Sequence, residues 1–231
     1  MGPNSELPAE RRPVTLHTAD GLTLEGQLAL PTATPARATL VCLHPLPTHG
    51  GSLDSHLYRK AAWRLPALAD VAVLRFNFRG TGRSEGTFEG GEGEKWDLAA
   101  ALDLVEAEEL PDPWLVGWSF GSEVLLRYGW QDPTVAGGIA LSPPLKRATD
   151  ADLAAWDASG KPLVALVPEH DDYLRPAQAA PRFGRVRNCS LVAVEGAKHL
   201  WVGARYADRV LNEIIHAVRP EAYPLPEIWT G

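Results

Sequence analysis

Two cysteines in 231 residues are too few to staple a fold, because disulfide scaffolds are dense in cysteine for their length. Cys42 lies inside the apolar run Ala38 to Leu43 and reads as a small buried hydrophobe, and Cys189 stands just before another run, so both are expected as free thiols. No apolar stretch approaches the ~20 residues a membrane-spanning helix needs. Residues 1–12 lack the apolar core of a secretory signal, which sets the expectation of a cytoplasmic protein with no membrane partner. Positive charge is scarce: 22 Lys and Arg against 29 Asp and Glu leave a formal net charge of -7, with no basic patch. That balance disfavours nucleic acid, which is bound through concentrated positive charge. Neither internal repeats nor low-complexity segments occur. The phosphate-binding pattern Gly-x-x-x-x-Gly-Lys-Ser/Thr is missing, and Gly80, Gly82 and Gly86 have the wrong spacing for a dinucleotide turn. His44, His49 and His56 match no zinc-ligand spacing, and no cysteine pair or carboxylate cluster completes a set. No metal and no cofactor are expected.

What is present is an ordinary globular composition, 45% hydrophobic and 22% charged, at a length one domain accommodates. The expected organisation is a polar, proline-containing arm over residues 1–12, one domain over 13–219 and a tail over 220–231. Residues 14–18 and 22–30 alternate apolar and polar side chains around Asp20-Gly21, a hairpin signal. Residues 39–43 are apolar beyond the first, as in a strand covered on both faces. From there helix-like and strand-like segments alternate. A helix is expected within 57–68, ended early by Pro66, then a strand over 71–76, a helix over 94–108 and a strand over 114–116. A helix over 120–128, strands over 138–141 and 162–167, a helix over 176–183, a strand over 191–194 and a helix over 206–218 complete the series. Strands separated by helices imply right-handed crossovers, so the fold class is α/β: a mostly parallel sheet, helices on both faces and an antiparallel N-terminal hairpin. Only residues 142–160 leave room for a lid, which is expected to be absent or a single helix around Asp152 to Ala158.

The stretch Trp114 to Leu126 carries the sharpest signal. A short apolar strand runs into Gly117-Trp118-Ser119-Phe120-Gly121, and a buried helix follows. In that context Gly-x-Ser-x-Gly is a strained turn that projects the serine hydroxyl clear of the sheet, with glycines where a Cβ would collide. Gly82-Arg83-Ser84-Glu85-Gly86 matches the same pattern. Its flank, Gly86 to Gly93, is too rich in glycine to begin a helix, so Ser84 reads as a loop residue.

A serine hydroxyl needs a base, and the base needs a group that orients it. His199, in the compact loop after the last strand, is the candidate base. The loop after the strand over 162–167 offers Asp171 as the orienting acid, with Asp172 as the alternative. His170 reads as a solvated neighbour. An oxyanion requires amide donors: Phe120 N-H, at the start of its helix, and Leu46 N-H, the candidate between Pro45 and Pro47, which cannot donate. Trp118, Tyr173 and Trp201 flank these residues and are candidates to line an acyl pocket, set against ordinary core packing.

Together the runs His44-Pro45-Leu46-Pro47 through Gly50-Gly51, Leu74 through Gly86, and Gly117 to Gly121 resemble the small capless bacterial α/β-hydrolases, which are similar to dienelactone hydrolases and serine aminopeptidase-like esterases. Glu169-His170-Asp171 and Gly196-Ala197-Lys198-His199 look like that family's acid and histidine loops, and the resemblance spans residues 14–218. It implies a triad of Ser119, Asp171 and His199, an oxyanion hole from Leu46 and Phe120, and a scaffolding role for residues 77–86. The expected activity is cleavage of a small-molecule carboxylic ester of short acyl chain through an acyl-enzyme. Amide, thioester or acyl-transfer chemistry uses the same residues, and a non-catalytic binding protein on this fold is the reading from another class. The oligomeric state is not legible.

Overall fold

Antiparallel pairing opens the chain. Glu10–His17 (β1) and Thr23–Leu30 (β2) form a hairpin with Glu10 opposite Leu30 and His17 opposite Thr23. Thr18 N donates to Leu22 O at 2.9 Å, and Gly21 takes the positive φ of 90° that the turn demands. This computed structural model describes residues 5–226. Strand β1 starts at Glu10, so the arm expected over residues 1–12 is shorter than its polarity suggests, and residues 1–4 lie outside the described range. The reason is position: β1 is an edge strand, where Arg11, Arg12 and Pro13 are tolerated because one side needs no partner.

Six further strands are Ala38–Leu43 (β3), Val71–Phe76 (β4), Pro113–Trp118 (β5), Gly137–Leu141 (β6), Leu163–Pro168 (β7) and Cys189–Val194 (β8). The sheet order is β1-β2-β4-β3-β5-β6-β7-β8, parallel throughout from β4 to β8. Every residue of β3, β4, β5 and β6 is buried, which explains their unbroken apolar sequence. Edge strand β8 buries only Val194.

Helices His56–Ala69 (α1) and Ala204–Val218 (α6) cover one face. Glu94–Ala107 (α2), Phe120–Tyr128 (α3), Asp150–Ser159 (α4) and Pro176–Phe183 (α5) cover the other. Helix α1 does not end at Pro66 but continues to a left-handed Asp70 at φ 53°. Proline removes the amide that would bond the Ala62 carbonyl. Arg11 Nε donates to that carbonyl instead, at 3.2 Å, while Leu7 N and Arg11 Nη2 serve Trp63 O at 2.9 and 3.1 Å. A side chain from β1 thus repairs the gap in α1.

Helix α4 is not a cap. Its Trp156 is fully buried in the core with Leu153, and Nε1 donates to Lys161 O at 3.2 Å. The helix therefore belongs to the layer beside α3, and the site has no lid among the described residues. The tail packs through Leu225, whose amide donates to Asn212 Oδ1 of α6 at 2.9 Å. Residues 227–231 of the tail lie outside the described residues. Cys42 and Cys189 are free, and burial pushes both thiols up to about 12.

Candidate active site

Ser119 sits between β5 and α3 at φ 53° and ψ -111°, a conformation a non-glycine residue holds only under constraint. A Cβ on Gly121 would lie 1.9 Å from Leu43 O, and one on Gly117 would lie 2.4 Å from Gly121 O. Those glycines allow β3, β5 and α3 to converge. Ser119 N donates to Leu141 O of β6 at 2.9 Å, and Ser119 O accepts from Ser122 N and Oγ at 2.9 and 2.6 Å. The backbone is held on both sides of the strained residue.

His199 follows β8. Its Nε2 lies 2.9 Å from Ser119 Oγ, and its Nδ1 lies 2.8 Å from Asp171 Oδ2. A carboxylate at Nδ1 places the ring proton there, so Nε2 is the acceptor for the serine hydroxyl. Burial pushes the Asp171 carboxyl up, but the hydrogen bond from His199 and the amides of Tyr173 and Leu174, 2.8 and 3.2 Å from Oδ1, hold it below the usual carboxylate range. Asp171 is therefore ionised at neutral pH. The His199 carbonyl accepts from Trp118 Nε1 and Ser142 Oγ, each at 3.1 Å, which fixes the backbone behind the ring.

Asp172 lines the cavity instead of meeting the imidazole. Ser84 is buried, its hydroxyl donating to Asn77 O at 2.8 Å and accepting from Glu25 N at 3.1 Å, so both functions of the group serve the backbone. The surrounding loop is held by Arg79, fully buried against Asp97, Asp20 and Glu89, and by the Arg83–Glu25 pair at 2.7 Å. Glu85 accepts from Thr23 N at 2.7 Å.

Leu46 and Phe120 line the same cavity as Ser119. Phe120 is the first residue of α3, where an unpartnered amide and the helix dipole both favour negative charge. Behind Leu46, burial pushes His44 down to about 4 and keeps it neutral. Its Nδ1 donates to Pro45 O at 2.7 Å and its Nε2 accepts from Phe78 N at 3.0 Å, tying the Leu46 loop to the loop after β4.

The cavity has a volume of about 560 Å³. Tyr173 lines it, ring edge-on to His199 with centroids 4.7 Å apart. Trp118 and Trp201 do not, a correction to the pocket the sequence suggested. Trp118 continues the alternation of Trp114 and Val116 on β5, which turns it to the face beneath α1 and α6. Trp201 is fully buried in the same cluster. Trp118 supports His199 from behind through the hydrogen bond to its carbonyl. A larger, more polar cavity of about 850 Å³ lies between α6 and residues 223–226; it contains neither Ser119 nor His199, and the chemistry selects the smaller one.

Sequence reasoning missed three residues here. Glu123 is buried one turn after Ser119 and accepts from the amides of Lys146 and Arg147, each at 2.8 Å, and of Ala148. Lys146 and Arg147 line the cavity. A lone glutamate inside the apolar run of α3 is the signal that marks it, since a buried carboxylate must have donors. Nothing comparable in sequence marks Lys146 and Arg147.

Comparison with known proteins follows the same geometry. The model of the alpha/beta hydrolase family matches residues 40–159. An uncharacterised protein of Rickettsia prowazekii is 33% identical over 124 residues; the match takes in 53% of this chain and 51% of that protein, so the chain spans about half the length of the curated relative it matches. A lidless alpha/beta serine hydrolase from Xanthomonas campestris superposes with a TM-score of 0.77 at 28% identity, covering 96% of this chain and all of that one. A Pyrococcus furiosus esterase shares the fold with a TM-score of 0.74 at 20% identity, covering 91% of this chain and 93% of that one.

Proposed function

The chain belongs to the alpha/beta hydrolase family, and from that premise we propose that it is a serine hydrolase cleaving carboxylic esters through an acyl-enzyme on Ser119. The observation that carries this reading is the unbroken line from Ser119 Oγ through His199 to Asp171, with contacts of 2.9 and 2.8 Å. The Xanthomonas protein, a serine hydrolase without a lid, supports it at 28% identity.

In this mechanism His199 Nε2 takes the Ser119 proton as Oγ forms a bond to the ester carbonyl carbon. Asp171 holds the imidazole in the reactive tautomer and stabilises the imidazolium. The carbonyl oxygen becomes an oxyanion received by the amides of Leu46 and Phe120, preorganised donors of the kind that stabilise charge only when it develops. The carbon to alkoxide bond then breaks, and His199 returns its proton to the leaving alcohol. Water, deprotonated by His199, attacks the acyl-enzyme; the acid leaves and Ser119 regains its proton.

Without a lid, the apolar surface at Pro45, Leu46, Tyr173 and Leu200 is short, which favours short acyl chains over long lipids. A fluorophosphonate probe should label the peptide bearing Ser119, and Ser119→Ala should abolish the label and lower kcat on the order of 10⁴-fold or more. Label retained in the mutant would overturn the assignment. Equal turnover of acetyl and palmitoyl esters would overturn the chain-length reading.

A further inference from the structure

Two basic side chains, Lys146 and Arg147, line the cavity that holds Ser119. Nearby arginines are paired: Arg127 with Glu92, Arg182 and Arg185 with Asp150, Arg187 with Asp157. Lys146 and Arg147 line the cavity and have no carboxylate partner among the described residues. Asp172, the acidic residue lining the cavity, pairs with neither.

Both cations are held in place. Lys146 Nζ stands 4.1 Å from the centroid of the Tyr173 ring, and that ring packs against His199. The Arg147 guanidinium carbon lies 5.4 Å from the Phe120 ring, and its Nε donates to Gly90 O at 2.9 Å. The two Nη groups make no hydrogen bond among the described residues. Glu123, a carboxylate that might have neutralised them, is taken up by their backbone amides. The helix that carries Ser119 at its start therefore fixes the 146–148 backbone one turn later and leaves the two side-chain charges uncompensated. An exposed ammonium on the Tyr173 ring and a half-buried guanidinium with free donors on the Phe120 ring, both lining the cavity, are groups that can receive a carboxylate.

We propose that Lys146 and Arg147 form an anion subsite beside Ser119, and that the substrates of this hydrolase are esters bearing a carboxylate on the acyl or the alcohol portion. The inference rests on the serine-esterase reading above and names its substrate class. Chemistry at Ser119 is unchanged; the subsite adds binding energy and orientation.

Two matched pairs test it. The 4-nitrophenyl monoester of adipic acid is compared with 4-nitrophenyl hexanoate for an anion on the acyl portion, and 4-acetoxybenzoate with 4-acetoxybenzamide for the alcohol portion. The anionic member of one pair should show a kcat/KM roughly tenfold higher, and the pair that responds places the subsite on that side of the scissile bond. The preference should fall as salt is raised, through screening. Lys146→Met and Arg147→Met should each pull the ratio towards one, and Lys146→Arg should retain it. Because each ratio is taken within one sample, partial unfolding of a variant cancels. Ratios near one in both pairs, or a preference that survives both Met substitutions together, would overturn the subsite. If no ester is cleaved while the probe still labels Ser119, the activated serine stands but the ester substrate and this inference fall together, whereas cleavage with ratios near one removes the subsite alone. If no ester is cleaved and Ser119 is unlabelled, the esterase reading falls and takes this inference with it.

Discussion

Two adjacent aspartates, Asp171 and Asp172, have opposite surroundings. Asp171 is buried, with one oxygen on the imidazole and the other on two amides; Asp172 is exposed and free of ion pairs among the described residues. Asp171→Asn, which leaves the imidazole without an acceptor that selects its tautomer, should lower kcat on the order of 10⁴-fold, whereas Asp172→Asn should stay within a few-fold. Steady-state kinetics on one activated ester reads both. The same substitution should alter the acid limb of stability. A carboxyl held below its ordinary range contributes stability that is fully present above that range and lost as pH falls through its lower folded value, so the Asn variant should lose that component of the pH dependence.

At this scale the positions of the three candidate residues were legible. Ser119, Asp171 and His199 each follow a strand, and the structure brings the three together. The tryptophans were misread for a physical reason: nearness in sequence to Ser119 or His199 does not say which face a side chain takes. Trp114, Val116 and Trp118 share one face by the period of two, but that pattern alone does not reveal on which side of the sheet the cavity opens.

Among the elements, α3 does more than carry the elbow. Glu123 joins it to the 146–148 segment through three amides, a buried connection for which a neutral amide is a poor substitute because its NH2 meets donors. Glu123→Gln should cost about 2–3 kcal/mol of unfolding free energy, measured by urea titration; a loss within 0.5 kcal/mol, the range of ordinary surface changes, would show that the amides find water at no penalty. Element order and type were legible because apolar runs and helical spacing alternate cleanly. Continuation of α1 through Pro66 was not, because its missing hydrogen bond is replaced by Arg11, a residue distant in sequence that folding brings alongside. The role of α4 was likewise hidden, since an amphipathic helix reads the same whether it covers a site or completes a layer.

For the molecule as a whole, the sheet sets how the site is assembled. Ser119 hangs from β5, fully buried at the centre, while His199 follows β8, the outer edge strand, joined only to β7 and burying only Val194. Edge strands open locally at lower free energy than the strands they border. On the proposed reading, catalytic competence and overall structure should therefore be separable in this protein. As denaturant rises, turnover should vanish while the far-ultraviolet helical signal is still near its native value, and backbone amides of β8 should exchange hydrogen faster than those of β5. Coincident loss of activity and helix would contradict this. If loss of activity comes first, the molecule under mild stress is an intact scaffold in which Ser119 stays on β5 while His199, its proposed base, has come away, inactive by fraying rather than by unfolding and ready to recover as soon as one strand closes.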